Sequence, residues 1–280
     1  MKDIVVAIDF SQSSLHALEA TIRIAEKTGA CVNMIWVEKP ESSDSLYANK
    51  PGEIKDEAKL RLKEITEQYK DVLKKSMITS KLKKGKVYQE VVSYAKFIEA
   101  DLIVIGAHGS SGYEEFMMGS NSYRIVTHAH CPVLTIRYDF PIRDIKSIVI
   151  PIDNTAETKQ KVPYTAAFAK LTGAEVHVIA LYPAKIKTLQ RKVDESVIQV
   201  TDYLSKMGVA YTTESRVADF YSSTTIKYAE EIDADIIAIM TEQNKSAANY
   251  LLGPYAQHMV CHSPIPVLSV QPGEEAKSLL

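Results

Sequence analysis

The sequence predicts an α/β protein built from two tandem domains, each a doubly wound parallel sheet. Three observations carry that expectation. Short apolar runs alternate with segments whose apolar residues recur at helical spacing. The runs are almost wholly hydrophobic, as strands covered on both faces must be. The whole pattern then occurs twice. KDIVVAIDFS (2–11) returns as KSIVIPIDNT (146–155), and KTGACVNMIWV (27–37) as LTGAEVHVIAL (171–181), both at an offset of 144. ADLIVIG (100–106) returns as ADIIAIM (234–240), and CPVLTI (131–136) as IPVLSV (265–270), at an offset of 134. So long a period marks duplication of a whole domain and not a solenoid. Strands separated by helices pair in parallel through right-handed crossovers.

Ile4–Ile8 is the first strand. Leu15, Leu18, Ile22 and Ala25 then define a helix that opens at Ser-Gln-Ser-Ser, with Ser13 and Ser14 as capping residues and Gly29 as its stop. Cys31–Val37 is the second strand. Ile54, Ala58, Leu62, Ile65, Tyr69 and Val72 form one stripe of a long helix, mirrored by Leu189, Val193, Val197, Val200 and Leu204. A third strand near 77–83, a helix over 87–99, a strand over 102–106, a helix opening near Gly119 and a strand over 133–137 complete the unit. The second copy is ten residues shorter. The natural place for the loss is the connection after the second strand, where the first copy has the polar stretch EKPESSDSLYANKPGE. YDFPIRDIKS (138–147), with Pro141 at its centre, reads as the linker between domains spanning 1–139 and 145–273.

At 46% hydrophobic and 24% charged residues, the 280-residue chain has enough apolar surface for full cores. A formal net charge of −2 gives no reason to expect nucleic acid or a membrane surface as partner. No run approaches 18 apolar residues, and the N-terminal one is broken by Asp9. Cys31, Cys131 and Cys261 form no CxxC pair, which points to a reducing, cytoplasmic compartment.

Residues 101–137 hold most of the functional information. The apolar run Leu102–Ile105 ends in Gly106, followed by Gly109 and then Gly119-Ser120. A buried strand that spills into a glycine-rich loop and then opens a helix is suited to cradling phosphate. Glycines let the backbone approach an anion, and the free N–H groups of the helix start point at it. Asp9 closes the first strand, where a carboxylate can accept from ribose hydroxyls or hold a metal-bound water. If the first and fourth strands are neighbours, Asp9 and the glycine loop face one crevice. Spacing alone leaves a purely structural loop equally open.

GAHG, nine residues, then GS resembles the ATP-binding signature of the universal stress protein family. VVAIDFSQSSLHAL and GSNSYRIVTHAHCPVLTIR are similar to that family's opening and closing segments. The resemblance spans the chain as two family domains in tandem. It implies five-stranded sheets in the order 3-2-1-4-5, of the adenine nucleotide alpha hydrolase-like type, with ATP and Mg²⁺ as ligands. By motif position, Ala7 and Ile8 line an adenine pocket and Val37 meets the base through its backbone, while Asp9 contacts ribose or metal. Gly106, His108, Gly109, Gly119, Ser120, Asn121 and Ser122 surround the phosphates, and Ile105 completes the cofactor-binding set. The resemblance also implies that the two final strands, VLTIR and VLSVQ, pair as a pseudo-dimer within the chain. Homo-oligomers and an unidentified signalling partner are further candidates. One departure is Ser110, which stands where many members carry a basic residue.

The second copy has lost the device: Met240, Gln243 and Pro254 replace Gly106, Gly109 and Ser120, although Asp153 persists. Side chains then stand where phosphate needs bare backbone, and proline removes an N–H. His128, His130 and Cys131, echoed by His258, Cys261 and His262, are too closely spaced to converge on one metal ion. They suit a helix end instead. Lys81, Lys83, Lys84 and Lys86 read as a solvated edge, and Met117 and Met118 as core filling. No GxSxG, HExxH or P-loop pattern is present, nor an SGGxDS-like or HIGH-like element of nucleotide-cleaving enzymes. With no general base evident, the leading expectation is an ATP-binding stress protein that acts by occupancy, hydrolysing ATP slowly at most. The alternative is a binding module for a small apolar ligand or a protein, with a vestigial glycine loop.

Overall fold

The computed structural model describes residues 1–39, 53–73, 76–107, 118–184, 186–241, 243–246 and 249–272. The first half runs β1 (Asp3–Ile8), α1 (Gln12–Thr28), β2 (Cys31–Glu38), α2 (Glu53–Tyr69), β3 (Ile78–Lys84), α3 (Val87–Phe97), β4 (Leu102–Gly106), α4 (Ser120–His128) and β5 (Val133–Ile136). The second half repeats it as β6 (Ser147–Ile152), a 3-10 turn (Glu157–Lys159), α5 (Val162–Thr172), β7 (Glu175–Tyr182), α6 (Lys187–Met207), β8 (Tyr211–Val217), α7 (Tyr221–Glu231) and β9 (Ile236–Met240). A hairpin of β10 (Gln243–Ser246) and β11 (Asn249–Leu252) follows, then α8 (Pro254–His262) and β12 (Val267–Val270). Fourteen residues connect β2 to α2 but only four connect β7 to α6, which locates the ten-residue loss after the second strand. The hairpin was expected only as loop, because neither polar β10 nor the short β11 (NYLL) has the apolar alternation that announces a strand.

The sheet order is β3-β2-β1-β4-β5 in the first half and, continuing without a break, β12-β9-β6-β7-β8 in the second. Each half therefore has the order 3-2-1-4-5. Pairing is parallel within each half, and β5 meets β12 antiparallel, with Leu134 opposite Leu268. Both strands are buried along their whole length. Left unpaired they would be apolar edges, so joining them removes two aggregation-prone edges at once. The Thr135 hydroxyl donates across this seam to the Val267 carbonyl at 3.3 Å. Helices α1, α2, α5 and α6 cover one face and α3, α4, α7 and α8 the other, and each of the two cores runs through both halves.

Local chemistry fixes the elements. Ser11 caps α1 by accepting from the Ser14 N–H at 3.2 Å, and Gly29 ends the helix at φ 75°. The cap is thus Ser11, not Ser13 or Ser14, which are buried in the first turn. Along the α2 stripe Ala58 and Leu62 are buried, whereas Ile54 and Val72 at its ends are exposed. The aspartates of the repeated ADLI and ADII segments are clips for the strand next door. Asp101 accepts from the Lys2 and Asp3 N–H groups. Asp235 accepts from the Lys146 and Ser147 N–H groups at 2.7 and 3.0 Å. Arg143, in the linker, then bridges Asp235 and Asp233 at 2.5 and 2.7 Å.

The halves differ where the first helix meets the fourth strand. Helix α1 begins four residues after β1 and packs against β4. A Cβ on Gly106 would collide with the Ser13 hydroxyl oxygen and lie 2.8 Å from the Ser13 carbonyl oxygen and 2.9 Å from its carbonyl carbon. In the second half α5 begins ten residues after β6 and has no comparable contact with β9, so Met240 finds room at the position of Gly106. Gly106→Ala should therefore cost about 1–3 kcal/mol of stability through overpacking, measured by urea denaturation on the fluorescence of Trp36. Adding Ser13→Ala should recover it only in part, because it removes the hydroxyl clash and leaves the main-chain one. A neutral Gly106→Ala, or full rescue by Ser13→Ala, contradicts this packing.

Candidate functional site

A crevice of about 210 Å³ opens beyond the carboxyl ends of β1, β2 and β4, where strand order reverses in a doubly wound sheet. Ten of the expected residues line it: Ala7, Ile8, Asp9, Val37, Ile105, Gly106, Gly119, Ser120, Asn121 and Ser122. His108 and Gly109 lie outside the described residues. Six further lining residues were not foreseen: Ser14, Ile35, Lys39, Val87, Val91 and Ile125. Their signal was periodicity. Ile35 and Lys39 alternate with Val37 along one strand face, Val87 and Val91 are one helical turn apart, and Ile125 is one turn beyond Asn121.

The β1–α1 turn presents Asp9. Its Oδ1 accepts from the Ser11 N–H at 3.0 Å and the Ser11 hydroxyl at 2.5 Å, while the Asp9 N–H donates to the Ser14 hydroxyl at 3.3 Å. Oδ2 has no hydrogen-bond partner among the described residues, and the side chain is exposed. Phe10 sits between these bonds at φ 62°, in the left-handed region, which costs a bulky residue on the order of 1–3 kcal/mol. Across the crevice, Gly119 N-caps α4 with no side-chain hydrogen bond, so the first N–H groups of the helix have no side-chain cap. The Gly119 N–H itself donates to the Ala107 carbonyl at 2.9 Å. The Ser122 hydroxyl donates to the Gly106 carbonyl at 2.9 Å, so it ties α4 to β4 instead of standing free as a phosphate donor. The crevice thus combines an apolar end (Ala7, Ile35, Val37, Val87, Val91), a half-free carboxylate and a helix start without a side-chain cap.

The second half repeats the aspartate turn. Asp153 Oδ1 accepts from the Thr155 N–H and hydroxyl at 2.9 and 2.6 Å, and the Asp153 N–H donates to the Thr158 hydroxyl at 3.1 Å. The corresponding crevice is wider, about 680 Å³, and is lined by Pro183, Asp219, Tyr221, Pro254, Tyr255 and His258, with Asp153 not among its lining residues. Tyr221 stands in place of Val87 and Tyr255 in place of Asn121. The Tyr221 hydroxyl donates to Asn154 Oδ1 at 3.2 Å, and the Tyr255 hydroxyl lies 3.5 Å from that of Thr225. Burial pushes both phenols above the usual tyrosine range, with the Asp153 carboxylate adding to the shift. Lys161, in place of Ala17, is buried and donates to the Thr158 carbonyl at 2.5 Å. Burial lowers its pKa to about 8, partly offset by Asp153. Pro254 occupies the first turn of α8.

Elsewhere, His128 Nδ1 lies 2.8 Å from the Arg124 carbonyl, at the end of α4. None of the three cysteines is in a disulfide. Met118 packs against the core, and Met117 lies outside the described residues. No helix among the described residues is long and apolar enough to cross a membrane.

Two doubly wound domains, each with its crevice at the strand switch, define a class that comparison with known proteins identifies. The family model of the universal stress protein family matches residues 1–137 and again 144–271. The chain belongs to that family, as a tandem two-domain member. A universal stress protein of Methanocaldococcus jannaschii is 33% identical over 141 residues, covering 49% of this chain and 82% of the relative. One from Mycobacterium tuberculosis is 24% identical over 192 residues, 68% of each chain. The crystal structure of a universal stress protein from Archaeoglobus fulgidus has the same fold, with a TM-score of 0.76 at 19% identity over 97% of this chain and 98% of that one.

Lys161 yields a pH dependence. From about pH 8 up to the ordinary lysine value of 10.5, the unfolded chain holds a proton that the folded chain has released, so stability should rise with pH through this window. The rise should reach up to about 3 kcal/mol, read from urea denaturation followed by circular dichroism. Lys161→Met should abolish the rise and stabilise the protein at pH 7 by about 1–3 kcal/mol. The same slope in both proteins would show that Lys161 is not the group responsible.

Proposed function

We infer that the first half binds ATP with Mg²⁺ and that the protein acts in cytoplasmic stress adaptation through nucleotide occupancy, with slow hydrolysis at most. The observation that carries this reading is the meeting, in one crevice, of an apolar pocket, a carboxylate and a helix start whose N–H groups lack a side-chain cap. Adenine is accommodated by Ala7, Ile8, Val37 and Ile105, with the ribose near Asp9. The phosphates fall to Gly106, His108, Gly109, Gly119, Ser120 and Asn121, in the environment that favours anions, with Ser122 holding α4 to β4 beside them. Mg²⁺ supplies neutralisation of phosphate charge when bound. Asp9 fits it through the oxygen that Ser11 leaves free. No cluster of three acidic, histidine or cysteine side chains exists among the described residues, so the metal would arrive with the nucleotide.

Occupancy has a route to the second half. The helix that starts at the crevice, α4, packs on the hairpin strand β11 and receives the Gln271 side chain, whose amide donates to the Val126 carbonyl at 3.1 Å. A shift of α4 on binding would be felt by the second half, where a signalling partner or a further copy of the chain can read it.

The second half supplies the test. Pro254 holds the first position of α8 without disturbing that helix, so Ser120→Pro should leave α4 folded while removing one N–H from the crevice. Calorimetric titration should give one ATP per wild-type chain and about tenfold weaker binding for the variant, roughly 1.4 kcal/mol. Absence of wild-type binding, two sites per chain, or unchanged affinity in Ser120→Pro would overturn the reading.

A further inference from the structure

We propose that Lys39 is a specificity-determining residue of the first-half crevice, supplying the fixed positive charge by which it selects nucleotides bearing phosphate groups over the bare nucleoside. The proposal rests on the nucleotide reading above and concerns what that site discriminates.

Ile35, Val37 and Lys39 follow one another on a single face of β2 and its exit, and all three line the crevice. The first two are buried and Lys39 is exposed, so the row leads from the apolar pocket to the mouth. Lys39 is the only cationic side chain among the described lining residues, and Asp9 the only anionic one. A crevice with Asp9 alone would repel a polyanion; with Lys39 its formal side-chain charge is balanced before the helix start is counted. Ser110 offers no charge in the loop. Strands β2 and β4 flank β1, about 10 Å apart, and the four-carbon stem of a lysine closes most of that gap. Lys39 and the α4 residues Ser120 and Asn121 border the same cavity.

The duplication gives an internal control. At the offset of 144, Lys39 corresponds to Pro183. The half that has lost its anion-binding backbone has lost this cation too, and its own buried lysine, Lys161, is turned to the Thr158 carbonyl. Lys84 and Lys86, at the end of β3 and just beyond it, add background charge but do not line the crevice.

The experiment is calorimetric titration of the full chain with ATP, AMP and adenosine, each at low and moderate salt. Lys39→Met should weaken ATP about five- to tenfold and AMP about twofold, as expected for a charge acting across solvent. Adenosine affinity should not change. Lys39→Arg should restore ATP binding, and the salt dependence should be shallower in Lys39→Met. Lys86→Met should stay within about twofold of wild type for ATP. Equal losses for ATP and adenosine would mean that Lys39 packs on the base or ribose, and the proposal falls. It falls equally if ATP affinity is unchanged in Lys39→Met, or if Lys86→Met loses as much. A wild-type protein that binds adenosine and ATP alike refutes the charge role while leaving a nucleotide site. One that binds neither removes the site itself.

Discussion

The first turn of α1 lies against the end of β4 because residue 106 has no side chain. That close approach sets the depth of the first-half crevice. It brings Ser14 to the Asp9 N–H, closes the turn that presents the carboxylate, and leaves the end of β4 open toward the start of α4. Gly106 therefore answers to two demands. The packing one is imposed by Ser13, hydroxyl and main chain alike; the other, access of an anion to bare backbone, belongs to the proposed function. In the second half the two demands have been released together. The first turn of the helix is replaced by a 3-10 turn, a methionine occupies the vacated volume, and no glycine is needed.

Electrostatics follows the same division. The first-half crevice exposes its charges, Asp9 and Lys39, at the mouth, and its helix N–H groups have no side-chain cap. The second half differs: the Asp153 carboxylate acts on a buried ammonium and two phenols, and its crevice is lined by Tyr221, Tyr255, Pro183 and Pro254, with Asp219 and no lysine or arginine among the described residues. Lys161 carries a desolvation cost that a methionine would not. The seam between β5 and β12 and the contact of α4 with β11 tie this half to the first.

Much of this was legible in the sequence, for physical reasons. Strands buried on both faces must be continuous apolar runs, and duplication shows each twice, so the fold, the strand order implied by the family resemblance and the site of the ten-residue loss could all be read. The lining residues on β1, β4 and α4 were found because strand ends and a glycine-marked helix start occupy fixed places in a doubly wound sheet. What escaped depends on side-chain direction. Lys39 and Ile35 needed the register of β2, Val87 and Val91 the rotation of α3, and Tyr221 and Tyr255 a decision between solvent and crevice that local pattern does not encode. Lys161 sits at an alanine position of the other copy, and nothing nearby in the chain announces its burial. The β10–β11 hairpin pairs four-residue strands, one of them wholly polar, and hydrophobic periodicity is silent over so short a stretch.

The central claim is that the first-half crevice suits a nucleotide, whereas the second-half crevice, lined by tyrosine and proline and without a lysine or arginine among the described residues, does not. Photolabelling with 8-azido-ATP at saturating Mg²⁺, followed by peptide mapping, tests it directly. Label confined to peptides of residues 1–137, at no more than one per chain and displaced by unmodified ATP, is the result this account predicts. Displaceable label in residues 144–271, or equal label in both halves, would contradict it.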